Sequence, residues 1–153
     1  MCSSDLQQFF VRWRARINAS VNAATPIVSG DQVFLSSAYN TGALLLKIGP
    51  QGAEKVWSSD DALTNHFNTS VLHKGFLYGV DGRQDLGDAK LACIEWSTGK
   101  RRWVHEGIGC AHLILAGDRI LACCETGDLV WFAADPAGFR ELARTTVLDG
   151  VCR

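Results

Sequence analysis

Few residues of this chain have a type and spacing that suit chemistry. The segment Asn65-His66-Phe67-Asn68-Thr69-Ser70 offers an imidazole at His66 and an amide at Asn68, either of which could meet a ligand. The competing reading is a polar loop that satisfies its own turn, as Asn and Thr readily do. Asp81, which closes the run Leu77-Tyr78-Gly79-Val80, and Glu125 are carboxylate candidates of the same kind. Cys123 and Cys124 are adjacent, but they end the apolar run Ile120-Leu121-Ala122 and precede a turn at Thr126-Gly127. They therefore read as a packed strand end, where a free thiol behaves as a small hydrophobe. Lys100-Arg101-Arg102 is a short basic run of the kind that forms a solvated face. The six cysteines contain no C-x-x-C pair and the four histidines no H-x-x-x-H, so no metal-ligand spacing is present. Nor is there a Ser-His-Asp order, a phosphate-cradling glycine loop or a carboxylate pair. No catalytic and no metal residue is assigned.

Composition narrows the class. Hydrophobic residues make up 47% and charged residues 20%, the balance of a globular chain rather than a disordered one. A formal net charge of -1 provides no field that would favour nucleic acid or an acidic membrane. No apolar run approaches the roughly 20 residues that span a bilayer. Cysteines set inside apolar strands suit a fold that does not depend on disulfides, and leave the compartment open. The start, Met1-Cys2-Ser3-Ser4-Asp5-Leu6, has no basic segment followed by an apolar core. Cys-Ser-Ser-Asp-Leu is also what one reading frame of a common sequencing adapter encodes, so residues 1–6 read as a scar, with a native terminus as the alternative.

The elements that must position these residues recur as a cycle. Each copy opens with two apolar runs joined at a Gly: Pro26 to Leu35 through Gly30, Ser70 to Tyr78 through Gly75, and Leu113 to Leu121 through Gly117. Such a pair is a tight hairpin signal, because the turn needs positive φ. A second Gly then precedes a third run: Gly42 before Leu44 to Ile48, Gly87 before Leu91 to Ile94, and Gly127 before Leu129 to Phe132. A third turn leads into a fourth run at Gly52 to Trp57, Gly99 to Trp103, and Gly138 to Leu142. The first-turn glycines, 30, 75 and 117, lie 45 and 42 residues apart; the third-turn glycines, 52, 99 and 138, lie 47 and 39 apart. Four strands per 40 to 50 residues is the signature of a β-propeller blade. A β-sandwich explains strands but not their recurrence in fours. Helices are disfavoured, since no i, i+3, i+4, i+7 stripe persists over three turns. Ser4 to Arg16 comes nearest, and reads better as the outer strand of a preceding blade with Trp13 in the place of Trp57 and Trp103.

The second copy carries a specific resemblance. Cys93-Ile94-Glu95-Trp96-Ser97-Thr98-Gly99-Lys100-Arg101-Arg102-Trp103 resembles the tryptophan-docking motif A-x-D-x-x-T-G-K-x-x-W of PQQ-type (pyrroloquinoline-quinone dehydrogenase-like) propellers. Thr98, Gly99, Lys100 and Trp103 match, while Cys93 stands in the Ala place and Glu95 in the Asp place. The first copy keeps Gly52 and Trp57, and the third has Phe139 and Leu142 near the docking place. The resemblance implies a Gly that makes the turn and a Trp packed flat between neighbouring blades. Trp103 is thus expected to be buried between its own blade and the next and anchored through its own turn at Thr98-Gly99-Lys100, with Trp96 expected to be more exposed.

The expected architecture is an all-β propeller fragment of about three four-stranded antiparallel blades. Residues 7–24 end a preceding blade, 25–68, 69–110 and 111–150 form blades 1 to 3, and 151–153 begin a connector. Three blades cannot close a ring, so further blades of a parent propeller are expected. In propellers the first strand lines the central channel, which would bring His66 and Asn68 towards a ligand.

Two functions follow from the resemblance. One is a non-catalytic binding or scaffold module in the periplasm or cell envelope. It would be similar to the lipoprotein propeller of outer-membrane protein assembly and would bind a protein or peptide, β-augmentation included. The other is a PQQ-dependent alcohol or sugar dehydrogenase. That family needs Ca²⁺ beside the quinone and an Asp base, and many members stack a vicinal disulfide on the cofactor, which gives Cys123-Cys124 its interest. The context of the enzymes' pair is absent here, and no cofactor is expected under the first reading.

Overall fold

The computed structural model describes residues 23–39 and 41–150. The readings made for residues 1–6, for most of 7–24 including Trp13, and for 151–153 lie outside the described residues. Among these residues twelve strands form three separate four-stranded antiparallel sheets, each in simple up-and-down order. Sheet 1 holds β1 (Ile27–Ser29), β2 (Gln32–Ser37), β3 (Gly42–Gly49) and β4 (Gly52–Ser59). Sheet 2 holds β5 (Val71–His73), β6 (Phe76–Asp81), β7 (Lys90–Glu95) and β8 (Arg101–His105). Sheet 3 holds β9 (Ala111–Ala116), β10 (Arg119–Cys124), β11 (Asp128–Ala133) and β12 (Glu141–Thr146). Among the described residues the only helical piece is a single 3-10 turn at Gln84–Leu86. The all-β, four-stranded blades read from the repeat are therefore present.

The sheets stack face to face, and alternation along each strand divides their side chains between two cores. Phe34, Ala43 and Leu45 of sheet 1 meet Leu77, Ala92, Ile94 and Trp96 of sheet 2 in one core. Tyr78, Val80, Leu91 and Cys93 of sheet 2 meet Ile120, Ala122, Cys124, Val130 and Phe132 of sheet 3 in the other. Sheet 2 is thus covered on both faces, which explains why Leu91-Ala92-Cys93-Ile94 is an unbroken apolar run with no exposed member. Between sheets 2 and 3 it is the first strands, β5 and β9, that approach each other most closely, as strands converging on an axis do.

The repeat extends to backbone detail. An amide at the end of the third strand donates to a carbonyl of the first hairpin turn in every sheet: Ile48 to Asp31 (2.7 Å), Trp96 to Gly75 (2.9 Å) and Ala134 to Asp118 (3.0 Å). Each sheet also has a register shift at one place between its third and fourth strands, at Leu45/Leu46, Cys93/Ile94 and Trp131/Phe132. Such a bulge re-aims the side chain that follows it. Here it sets Trp57 opposite Leu45, Trp103 opposite Cys93 and Ala143 opposite Trp131.

Both tryptophans so placed join neighbouring sheets. The Trp57 indole N–H donates to the Trp96 carbonyl of sheet 2 at 2.8 Å, and the Trp103 indole N–H donates to the Asp135 carbonyl beside sheet 3 at 3.0 Å. The Trp57 ring lies on Gly99, where a Cβ would meet Cε3 and Cζ3 at 2.8 Å and where φ is +70°. The turn itself is tied by Glu95, which accepts from the Thr98 hydroxyl at 3.0 Å and, through its carbonyl, from the Gly99 amide at 2.9 Å. An acid in that place therefore holds the turn that the neighbouring ring sits on.

Three expectations change. Trp103 is not anchored through its own Thr98-Gly99-Lys100 turn. That turn receives Trp57, and Trp103 reaches forward to the next one, because each ring docks one sheet ahead. Trp96 is 8% exposed rather than open, and its indole N–H donates to Gln32 Oε1 of sheet 1 at 2.6 Å. In the third copy the docking register falls on Ala143. Leu142 is the exposed residue of the bulge, and Phe139 packs backwards on Trp103 and Phe132 in the core between sheets 2 and 3.

Trp57→Ala should lower stability to urea unfolding by about 3 kcal/mol, and Trp57→Phe, which removes the N–H and one ring of the indole, by about 2 kcal/mol. Gly99→Ala should cost roughly 2 kcal/mol from its backbone alone, with an added steric part that disappears in a Trp57→Ala background. Gly117, at φ +61° with nothing near its Cβ position, is the control that should show the backbone cost only. Equal costs at the two glycines in both backgrounds would remove the close approach from the account.

The face of sheet 3 turned away from sheet 2 carries the cross-strand row Ile114, Leu121, Trp131, Ala143, and Ile114 is 62% exposed. Among the described residues no sheet covers it. Apolar rows of this kind drive association, so the chain should show concentration-dependent mass by analytical ultracentrifugation, reduced by Ile114→Lys. A monomer at every concentration would contradict this.

Candidate functional site

Antiparallel up-and-down order divides the turns between two ends. The β1–β2 and β3–β4 turns and their counterparts lie at one end, with the Trp57 and Trp103 joints. The β2–β3 turns lie at the other, with the connectors 60–70 and 106–110 that lead from each outer strand to the next first strand. His66, Asn68, Asp81 and Glu125 all fall at this connector end, away from Thr98, Gly99 and Lys100.

A connector that crosses the top of a core buries its backbone, and buried amides need partners. Asn65, only 1% exposed, supplies them. Its side-chain amide donates to the Val80 carbonyl at 2.9 Å, its Oδ1 accepts from Ser70 at 3.1 Å, and its own N–H donates to Ser36 Oγ at 2.9 Å. Gly79 leaves room for this, since a Cβ there would sit 2.0 Å from Ser70 Oγ. Asp81 serves the same connector. Its Oδ1 accepts from the Thr64 amide at 2.7 Å, and its Oδ2 pairs with Arg101 at 2.5 Å. Arg101 also donates to the carbonyls of Asp61 and Ala62. The basic run is thus not simply a solvated face. Arg101 clamps the connector, while Arg102 lies 5.9 Å from the Phe76 ring centre.

His66 stands at the start of an aromatic row along the rim. Its Nε2 is 3.1 Å from the Tyr39 hydroxyl, its ring is 5.2 Å from Phe67, and Phe67 is 6.1 Å from His112. Its Nδ1 is buried without a partner among the described residues. Arg83 caps the row, its guanidinium 4.3 Å above the Tyr39 ring. The Arg83–Asp85 ion pair raises the arginine and lowers the aspartate from their ordinary pKa ranges, chiefly through the hydrogen bond between them.

Asn68 and Glu125 line a single small cleft with Phe67, Gln84, Cys110, His112 and Cys123. Asn68 is 1% exposed. Its Oδ1 accepts from the Cys110 thiol at 2.9 Å, and its Nδ2 has no acceptor among the described residues. Burial pushes the Cys110 thiol up to about 11, and the nearby Glu125 charge adds to the shift. Glu125 accepts from Gln84 at 2.7 Å through Oε2, and its backbone amide donates to the Cys110 carbonyl at 2.9 Å. Sequence reasoning named His66, Asn68 and Glu125 but passed over Asn65, Cys110, Tyr39 and Gln84. The packing signal available for Cys110 was its place at the end of a connector, one residue before an apolar strand.

Cys123 and Cys124 are both free thiols. They belong to β10, where successive side chains point to opposite faces. Cys124 is buried in the core against sheet 2, its thiol raised to about 11 by burial, whereas Cys123 is half-exposed and lines the cleft. This extended strand geometry does not fit a vicinal disulfide stacked on a flat cofactor. Among the described residues no three His, Cys, Asp or Glu side chains converge as a donor set for a metal ion.

No family model matches the chain, and no curated protein matches it. Solved structures do. BamB from Moraxella catarrhalis superposes with a TM-score of 0.63 over 84% of this chain at 14% identity. A europium-containing methanol dehydrogenase superposes with a TM-score of 0.58 over 82% of this chain at 15% identity. The chain spans 35% of the length of the first and 25% of the second. At these identities the likeness concerns the fold alone. Three four-stranded sheets, joined face to face by docked tryptophans and superposing on both structures, give this chain the fold of PQQ-like β-propeller blades.

Proposed function

We propose that the chain is the blade region of a non-catalytic propeller that acts as a binding scaffold for polypeptide in the cell envelope. The observation that carries this reading is where the rim carboxylates direct their oxygens. Asp81 holds Thr64 and Arg101, Asp85 holds Arg83, Asp88 accepts from the Arg83 amide at 2.7 Å, and Glu125 accepts from Gln84 at 2.7 Å. Carboxylates engaged in this way fasten loops, and a general base or metal ligand needs a free oxygen facing a substrate. Tyr39 and His112 are exposed at the rim, with His66 and Phe67 half-buried between them. Aromatic and neutral polar groups of this type are favoured where protein meets protein. Likeness to BamB is compatible with this reading, and the envelope assignment rests on that likeness and on the docking motif.

The competing reading, a PQQ-dependent dehydrogenase, draws on the likeness to the methanol dehydrogenase. The quinone and its Ca²⁺ would supply the redox chemistry. The opposed faces of Cys123 and Cys124 speak against it.

A photo-reactive phenylalanine analogue placed at Tyr39 should cross-link to protein in an envelope extract, whereas one at Glu54, in β4 at the outer edge of sheet 1, should not. The same chain mixed with PQQ, Ca²⁺ and an alcohol or sugar panel should reduce no redox dye. Quinone-dependent dye reduction would overturn the scaffold reading, as would equal cross-linking at both positions.

A further inference from the structure

Each sheet carries one cross-strand row of four residues, and the pairing register makes the three rows equivalent. The row begins with Ile27 beside Phe34 in sheet 1, Val71 beside Tyr78 in sheet 2 and Ile114 beside Leu121 in sheet 3. It ends with Leu45 opposite Trp57, Cys93 opposite Trp103 and Trp131 opposite Ala143. The first two rows are the substance of the internal joints, since the row of sheet 1 packs on sheet 2 and that of sheet 2 packs on sheet 3. In sheet 3 the last two places are exchanged. The large ring stands on the third strand and the small residue on the fourth, so the row keeps its tryptophan and stays apolar throughout.

The faces that receive these rows are equivalent too. Leu72, Leu77 and Ile94 of sheet 2 take the row of sheet 1, and Leu115, Ile120 and Phe132 of sheet 3 take that of sheet 2. By the same pairing the corresponding residues of sheet 1 are Val28, Val33 and Leu46, on the face turned away from sheet 2. Leu72 and Leu115 are half-buried in their joints, whereas Val28 is 66% exposed, with Leu46 half-buried and Val33 buried between them. Among the described residues no sheet covers this face. The chain thus presents a row at sheet 3 and a receiving face at sheet 1, and its own two joints show how row and face fit.

We propose that a second copy of this chain docks head to tail, the sheet 3 row of one copy seated on the Val28 face of sheet 1 of the other. Continuity with the internal joints is the reason for this occupant. Pairing two sheet 3 rows would set row against row, a fit that neither joint shows. A contact between two different faces is heterologous, so each copy keeps one face open to a further copy. The new joint lacks one element of the internal ones. With Ala143 in the docking place, no indole N–H reaches from the fourth strand to a turn carbonyl as Trp57 and Trp103 do. Apolar burial alone holds it, which makes it weaker than the internal joints and dependent on concentration. The inference does not draw on the polypeptide-binding reading, whose residues lie at the connector rim.

Two variants separate the faces. Ile114→Lys puts a charge on the row and leaves the receiving face intact, and Val28→Lys does the reverse. Both positions are exposed, at 62% and 66%, so neither substitution enters a packed core. In analytical ultracentrifugation each variant alone should stay monomeric at concentrations about tenfold above those at which the unsubstituted chain associates. An equimolar mixture of the two should form a one-to-one dimer that grows no further, since each partner then has its other face blocked. Association of Val28→Lys alone, equal to that of the unsubstituted chain, would overturn the proposal, because the receiving face would then play no part. A mixture that stays monomeric would overturn it as well. A second measurement depends on neither variant: a photo-reactive phenylalanine analogue at Ile114 should cross-link between copies to peptides that hold Val28 or Leu46. Cross-links that run only to sheet 3 of the other copy would show row-on-row pairing and end the head-to-tail assignment.

Discussion

The arrangement of these sheets depends on one contact: an indole N–H that crosses from the outer strand of one sheet to a carbonyl in the third turn of the next. It occurs twice with nearly the same geometry, 2.8 Å from Trp57 and 3.0 Å from Trp103. A tryptophan suits this place because it buries a large flat area at small entropic cost and carries a polar atom at its edge. The N–H satisfies a turn carbonyl that the sheet leaves unpaired, and the ring covers the seam between the two cores. The bulge between third and fourth strands is what aims the ring. Without the extra residue, Val56 in sheet 1 and Arg102 in sheet 2, each tryptophan would turn to the opposite face of its sheet.

That contact fixes one end of the stack and thereby sets what the other end must do. The chain has to travel from the outer strand of each sheet back to the first strand of the next, over the open edge of a core. A segment on that path cannot pair with a sheet, so its polar groups are met by side chains. Ser36, Asn65, Ser70, Asp81 and Arg101 exist in that light as substitutes for strand partners. Polar residues gathered at a propeller rim are therefore not by themselves a sign of ligand binding. What separates Asn68 from Asn65 is accounting of hydrogen bonds: Asn65 uses its oxygen and its amide nitrogen, and Asn68 leaves its nitrogen open.

Much of the fold was legible because turn chemistry and period are local properties. Gly30, Gly75 and Gly117 mark hairpins that any chain with those dihedrals would need, and the recurrence in fours identified the blade. Gly99 could be read as a positive-φ turn, but not as the floor for Trp57, since which blade a ring docks on is a long-range fact that spacing does not encode. Trp96 was misjudged for the same reason. A residue just past a strand looks exposed until the neighbouring sheet is placed, and it is the inter-sheet reach to Gln32 that buries it. Ala143 was missed because the bulge shifts the register by one residue, which moved the docking place off Leu142. Among the candidate site residues, His66 and Asn68 fall in a connector and Glu125 in a turn. The sequence could not show that Asp81 is occupied by Thr64 and Arg101.

The cysteines show how composition can mislead when burial is ignored. Cys93, Cys110 and Cys124 are all buried, and burial pushes each thiol up to about 11. Thiols held in their protonated form are neither nucleophiles nor metal ligands near neutral pH. They fill space between sheets, as a small apolar residue would. Cys110 differs in that its thiol also donates to Asn68 Oδ1 at 2.9 Å. A buried nitrogen without an acceptor costs about 1 to 3 kcal/mol. The fold tolerates it at the end opposite the tryptophan joints, where the connectors and not the strands hold the structure. A thiol that packs the end of a connector thus also engages Asn68, and the polar pattern of the rim follows from how the core is filled.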